Sequence, residues 1–366
     1  MDSHQTAEKK GTFRTIRFYL STWTLAICQR LIQRWNQTGQ KLAGAPDIVT
    51  SVLNLHPFYL WCLVGFTYFV VTLRAGVCLG SSLGIPSAFA FFLALSASVP
   101  SLLLKIGFTA ADAPELFFWL QGDQVEQLQQ LPLVLLARIV FIVLFILFTT
   151  TAVFRSKTSV SRSAFLISTH ALFSIFLMTQ SRAVNTPVFL LSTLQFWALQ
   201  DLKVSIAGAS ITSLVLGHVA FFALGNSNAM SSIDLSNAYN GVSGYNIVAV
   251  GVLLFCSNWA GPMWWGLGAL ALVSGNQEQS QSASKGKKIQ EKKEAEDPFM
   301  THATISTLFV AGSTLAVMIA CTMMRTHLFI WTVFSPKYLF TMAWSMGFHI
   351  LFTMGLGRGL WFLNTW

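Results

Sequence analysis

An all-α fold, a polytopic transmembrane helical bundle of about nine spans (eight to ten), is what this sequence predicts, on three observations. Hydrophobic residues make up 54% of the 366 and charged ones 10%, where a soluble domain carries about a quarter charged. Apolar runs recur along the chain, most of them near the ~20 residues a helix needs to cross hydrocarbon. The 31 Phe and 12 Trp suit lipid-facing surface and interfacial belts. The formal charge of +9 sits largely at run ends and in loops. No basic stripe is interleaved with aromatics on a soluble domain, so no nucleic-acid partner is expected.

Residues 1–55 are basic and mixed. Between Thr12 and Trp35, apolar residues alternate with Arg14, Arg17, Arg30 and Arg34, the pattern of an amphipathic interfacial helix; Phe18–Cys28 alternatively reads as a short span. Acids and polar residues at the start exclude a signal peptide. Asn36-Gln37-Thr38 is an N-glycosylation sequon. A transmembrane region, 56–273, follows, with runs at about 57–73, 84–104, 132–154, 164–180, 186–200, 204–224 and 245–273. The 186–200 run is the shortest, and 245–273, which contains Gly261-Pro262, is one kinked span or two half-spans. Residues 274–300 form a charged, low-complexity linker expected to be disordered. Residues 301–366 carry the last runs, 302–323 and 338–357.

Lys285, Lys287, Lys288, Lys292 and Lys293 mark the linker as cytoplasmic under the positive-inside rule. Four crossings back lie Arg155-Ser156-Lys157 and Arg162, basic and on the same side. The polar insert Gly225–Asn246 and the segment Arg325–Lys337 then both face the lumen. The same count leaves residues 1–55 lumenal against their positive charge, so either an early span is miscounted or the rule fails there. A glycan on Asn36 would favour the lumenal placement.

Two polar patches are the candidate binding surfaces. Gly225–Asn246, GNSNAMSSIDLSNAYNGVSGYN, is either a solvated loop or a lining whose amides and hydroxyls meet a polar ligand. Arg325, His327 and Lys337 place cations beside Trp331 and Ser335-Pro336, where an anion or lipid headgroups could be met. No self-sufficient catalytic constellation is legible. All fourteen Asp and Glu fall in termini, loops or boundaries, against an ion-coupled carrier. Arg138 is the one charge inside a run, and near its start it snorkels, binds a lipid phosphate or plays a structural part. His170, His218 and His349 lie at no ligand spacing and read as hydrogen-bonded interior histidines. HExxH, GxSxG and GxxxxGK[ST] are absent, and the Gly355–Gly359 stretch reads as close helix packing. Five scattered cysteines make neither a disulfide framework nor a CxxC site.

Three segments in order resemble the C-terminal membrane region of the GPI ethanolamine phosphate transferases: GNSNAMSSIDLSNAYNGVSGYN, then SNWAGPMWW (Ser257–Trp265), then RTHLFIWTVFSPKYLF (Arg325–Phe340). RWNQTGQKLAGAPDI (Arg34–Ile48) is similar to the fungal members in particular. The resemblance implies transfer of phosphoethanolamine from phosphatidylethanolamine to a mannose, the second, of the GPI precursor in the endoplasmic reticulum. It also implies a phosphatase-like lumenal domain with a Thr nucleophile and two zinc ions, for which this chain has no counterpart. No cofactor or catalytic residue is therefore expected in the chain, which reads as a fragment, a truncated gene model or a separate membrane subunit. The expected partners are phosphatidylethanolamine and GPI-precursor lipids, with a small membrane subunit or a separate catalytic chain. Within that picture Asn226, Asn228, Asp234, Asn237 and Asn240 hydrogen-bond a glycan or ethanolamine headgroup, and Arg325, His327 and Lys337 meet a phosphate. The competing classes are a multispan lipid carrier and a non-catalytic scaffold.

Overall fold

A computed structural model describes residues 2–36, 46–157, 161–227, 233–284 and 298–328, with isolated positions up to 355. Among them the regular structure is helical throughout. The helices are α1 (Asp2–Gln33), α2 (Pro57–Leu83), α3 (Ser87–Asp112), α4 (Gly122–Gln129), α5 (Leu133–Lys157), α6 (Arg162–Thr179), α7 (Thr186–Leu202), α8 (Ile206–Ala223), α9 (Ile247–Asn258), α10 (Ala260–Ser284) and α11 (Pro298–Met323).

Local sequence explains where they start and stop. Proline opens α2, where its missing N–H has no helical partner to lose. The hydroxyls of Ser161 and Ser205 accept the free N–H groups of Ala164 and Gly208 at the heads of α6 and α8. The Asn246 side chain does the same for α9 through Val248 and Ala249. Gly84, at φ 64°, ends α2 in the left-handed conformation that glycine takes without steric penalty.

Six helices are long and apolar enough to cross a membrane: α2, α3, α5, α6, α8 and α11. The expected kink in 245–273 is a break at Trp259, where α9 and α10 meet at 77°; counted as one span, this pair makes seven. The 186–200 run forms α7, 17 residues long. The 338–357 run lies almost wholly outside the described residues, as do His349 and most of Gly355–Gly359. The count of about nine is thus not reached among the described residues by length and composition.

Side-chain contacts order the bundle into two ends. At one, Arg17 of α1 meets Asp201 of α7, Asn276 of α10 donates to Val204 O at 2.6 Å, and His302 of α11 meets Ser210 of α8 at 2.9 Å. At the other, Trp35 donates to Val184 O at 3.1 Å and Trp61 of α2 to Leu116 O at 3.1 Å. α1 therefore lies antiparallel along α7 from one end to the other, with Gln29 accepting from Gln195 at 3.1 Å between them. Among the described side chains, the first end carries Arg14, Arg17, Arg155, Arg162 and Lys203 with the single acid Asp201. The second carries Asp47, Asp112, Glu115, Asp123, Glu126 and Asp234 together with Arg34, Lys105, Arg138 and Arg182, so that the two signs nearly balance there. They are called here the basic end and the polar end.

Close packing joins α8 to α10. A Cβ on Gly261 would lie 2.8 Å from the backbone of Ala220, so the approach needs glycine, as small residues permit between membrane helices. Deep in the bundle, Arg74 (5% exposed) lays its guanidinium 4.8 Å over the Phe196 ring and meets His170 Nδ1 at 2.6 Å. His170 is itself held, through Nε2, on Trp264 O at 3.1 Å, the interior hydrogen-bonded role read for it in the sequence.

One expectation needs correction: Arg138 is not the only charge inside a span. α2 and α3 run past their apolar stretches to Leu83 and Asp112, and so enclose Arg74 and Lys105. A helix in hydrocarbon has no reason to stop at one cation, because unwinding would leave backbone groups unpaired; neighbouring helices instead supply the cation's partners. Arg138 itself is tied to the polar end, where Nε donates to Gly241 O at 2.8 Å and Nη2 to Ser243 Oγ at 3.1 Å.

Candidate polar-end cleft

At the polar end the helix termini enclose a cleft of about 810 Å³. Its walls come from the ends of α3 and α6, the short turns Pro114–Phe117 and Ala183–Asn185, the start of the polar insert after α8, and Ile233–Asn237.

Amides build one wall. Asn36 Nδ2 donates to Asn185 Oδ1 at 3.1 Å and also to Ala223 O. Asn185 Nδ2 donates to Leu224 O at 2.7 Å. These bonds satisfy carbonyls that the C-terminus of α8 leaves without helical partners, while Gly225, at φ 88°, turns the chain beneath Asn226. The sequon nitrogen is thereby engaged inside the fold.

An ion pair holds the insert across the mouth. Arg182 donates to Asp234 through Nε to Oδ2 at 2.8 Å and through Nη2 to Oδ1 at 3.2 Å, a two-point clamp. Asp234 also accepts from the Ser236 backbone N–H at 3.0 Å and from the Ser236 hydroxyl. Asn258, at the α9–α10 break, pairs with the Asp234 backbone in both directions, at 2.9 and 3.0 Å. Burial pushes the Asp234 carboxyl upward, but Arg182 and the Ser236 donors outweigh it and hold it below the usual carboxylate range. The hydrogen bond to Asp234 raises the Arg182 guanidinium.

A lowered carboxyl stabilises the fold above the unfolded value near 3.9, and the contribution fades as pH falls through the folded value. Asp234→Asn should therefore flatten the loss of thermal stability as pH falls below about 4, relative to the parent. Identical acid responses in the two chains would show that the clamp contributes nothing.

Beneath the clamp, Lys105 Nζ donates to Thr179 O at 2.9 Å and to Ser181 O, capping the C-terminal end of α6 with a cation. Asn240 Nδ2 reaches Thr179 O at 3.3 Å, Gln180 Oε1 at 3.4 Å and Asn237 Oδ1 at 3.4 Å. One donor is left unpaired behind the cleft wall, and two carboxylates keep hydrogen-bonding capacity at its surface. Gln180 is wholly buried and its Nε2 has no partner. Asp112 and Glu115 line the cleft without a hydrogen bond or ion pair of their own among the described residues. With the clamp neutral, these two carboxylates are the uncompensated charges of the cleft's lining.

Of the sequence candidates, Asn226, Asp234 and Asn237 line this cleft. Asn240 supports it from below. Arg325 and His327 are exposed just beyond α11 and are not part of its lining. Asn228 and Lys337 lie outside the described residues. Sequence reasoning missed Asp112, Glu115, Gln180, Arg182 and Asn185 as lining groups. Only the acids of the 106–130 loop stood out there, and nothing linked them to the insert. Among the described residues no three His, Cys, Asp or Glu are grouped to hold a metal ion.

A family model described as the GPI ethanolamine phosphate transferase membrane region matches residues 3–366. A GPI ethanolamine phosphate transferase 2 of Aspergillus oryzae is 37% identical over 329 residues, covering 89% of this chain and 32% of the relative. The protein of that name from Aspergillus fumigatus is 36% identical, covering 88% and 34%. The one from Saccharomyces cerevisiae is 28% identical, covering 91% and 39%. The chain thus spans about a third of the length of these relatives. No solved structure matches it.

Proposed function

This chain belongs to the GPI ethanolamine phosphate transferase membrane-region family, and from that premise we propose that its cleft holds the headgroups of the lipids those enzymes join. The observation that carries the reading is the bipolar lining. The carboxylates of Asp112 and Glu115 offer acceptors to an ammonium group, and the unclamped edge of Arg182 offers donors to a phosphate or to sugar hydroxyls. Phosphatidylethanolamine carries both functions on one headgroup. The ring of asparagines suits the hydroxyls of a GPI-precursor glycan.

In this reading the membrane part presents two lipid substrates, in register, to a lumenal catalytic domain that would hold the zinc ions, and so supplies effective concentration and orientation rather than chemistry. The location is the endoplasmic reticulum membrane, with the basic end cytoplasmic and the polar end lumenal. The excess of cations over acid at the basic end supports that orientation. Arg325 and His327, with Lys337, remain candidates for the phosphate of a lipid approaching from outside the cleft.

The test is lipid retention by the full chain in neutral detergent, read by native mass spectrometry. Phosphatidylethanolamine should be retained over phosphatidylcholine, whose methylated ammonium has no N–H to donate. Asp112→Asn with Glu115→Gln should cut that preference about ten-fold, the scale of one charge-assisted hydrogen bond. Equal retention of the two lipids by the parent chain would remove the reading.

A further inference from the structure

We propose that the basic end carries a second site, a hollow that takes the phosphate of an anionic membrane phospholipid. The hollow measures about 980 Å³ and lies among α1, α6, α7 and α10. Arg14, Arg17 and Lys203 line it against the single acid Asp201. Asp201 is already neutralised, since Arg17 pairs with it and the Ser21 hydroxyl donates to it at 3.4 Å. Arg14 and Lys203 make no side-chain hydrogen bond or ion pair among the described residues, so two positive charges face the hollow uncommitted.

Lys203 is placed there at a backbone cost. It caps α7 at φ 49° and ψ 50°, the left-handed conformation that glycine takes freely and a side chain resists. It is the one non-glycine residue at positive φ among the described residues. At the step where a glycine would serve the turn better, the chain carries a cation.

Apolar surface adjoins the charge. Ile167, Leu202 and Leu272 line the hollow, Phe18 stands at its edge, and Leu20 and Trp23 are exposed further along α1. A soluble anion needs only the cations, whereas a phospholipid uses both the cations for its phosphate and the apolar flank of α1 for its chains. The inference is independent of the cleft, which lies at the other end of the bundle.

The full chain in neutral detergent, titrated with dioleoyl phosphatidic acid and with dioleoyl phosphatidylcholine, tests it by native mass spectrometry. Phosphatidic acid should bind at least about ten-fold more tightly, and Arg14→Gln with Lys203→Gly should abolish the difference. Lys203→Gly alone should melt no lower than the parent, because glycine relieves the turn, yet bind phosphatidic acid several-fold more weakly. The Asp112→Asn, Glu115→Gln chain should bind it as the parent does. Equal binding of the two lipids, or unchanged affinity in the Arg14/Lys203 double variant, would overturn the site. Displacement by millimolar inorganic phosphate would overturn the lipid assignment in favour of a free anion.

Discussion

His170→Ala should cost about 3 kcal/mol or more of stability, the loss expected when a buried charge is deprived of its partner. His170 is wholly buried and joins three helices: its Nδ1 faces Arg74 of α2 at 2.6 Å, and its Nε2 meets Trp264 O of α10 at 3.1 Å. The Trp264 indole in turn donates to Ser174 Oγ at 2.8 Å, back on α6. Arg74 has no carboxylate beside it, and its Nη1 has no hydrogen-bond partner. Removing the imidazole leaves a guanidinium facing an apolar void. Replacing both partners with apolar groups removes the demand as well as the supply, so Arg74→Met with His170→Phe should recover much of the loss. The check is the melting temperature of the purified chain in detergent for the two single variants and the double. A His170→Ala chain melting with the parent would show that the pair carries no stability.

An all-or-none result is expected for topology. α1 accompanies α7 from Arg17, beside Asp201, to Trp35, beside Val184. About eighteen residues of helix cover ~27 Å at 1.5 Å each, close to the hydrocarbon thickness. We infer that α1 crosses the membrane, so that under the orientation proposed above the residues before Arg14 lie at the cytoplasmic, basic end. In sealed vesicles of known orientation, a tag fused ahead of residue 2 should be digested from the cytoplasmic face. A tag inserted beside Gly244 should be protected until detergent is added. Protection of both tags, or digestion of both, would contradict the arrangement.

That segment also shows what the sequence can and cannot carry. The apolar runs of α2, α3, α5, α6, α8 and α11 were legible because lipid-facing helices must be apolar nearly all round. α1 was legible as a helix over Thr12–Trp35, but its course along α7 was not, because the partners of its arginines, such as Asp201, lie far off in the chain. Arg74 and Lys105 were hidden in the same way, each beyond the end of an apolar run and each partnered from another helix. The Asn-rich insert was legible as a polar surface, and Asn226, Asp234 and Asn237 do line the cleft. Its chemistry was not, because Asp234 commits its carboxylate to Arg182, 52 residues away, while Asp112 and Glu115 come to face the cleft through the packing of α3 against α6.

The central claim is that a lipid headgroup enters the polar-end cleft, and photo-crosslinking tests it most directly. Phosphatidylethanolamine carrying a diazirine near its phosphate would be irradiated with the full chain in bilayer nanodiscs, and the modified peptides sequenced. Adducts concentrated on residues 109–116, 180–185 and 224–237, competed away by unlabelled phosphatidylethanolamine, are the predicted result. Adducts spread along the lipid-facing sides of α5 and α11, with none in the cleft segments, would contradict it.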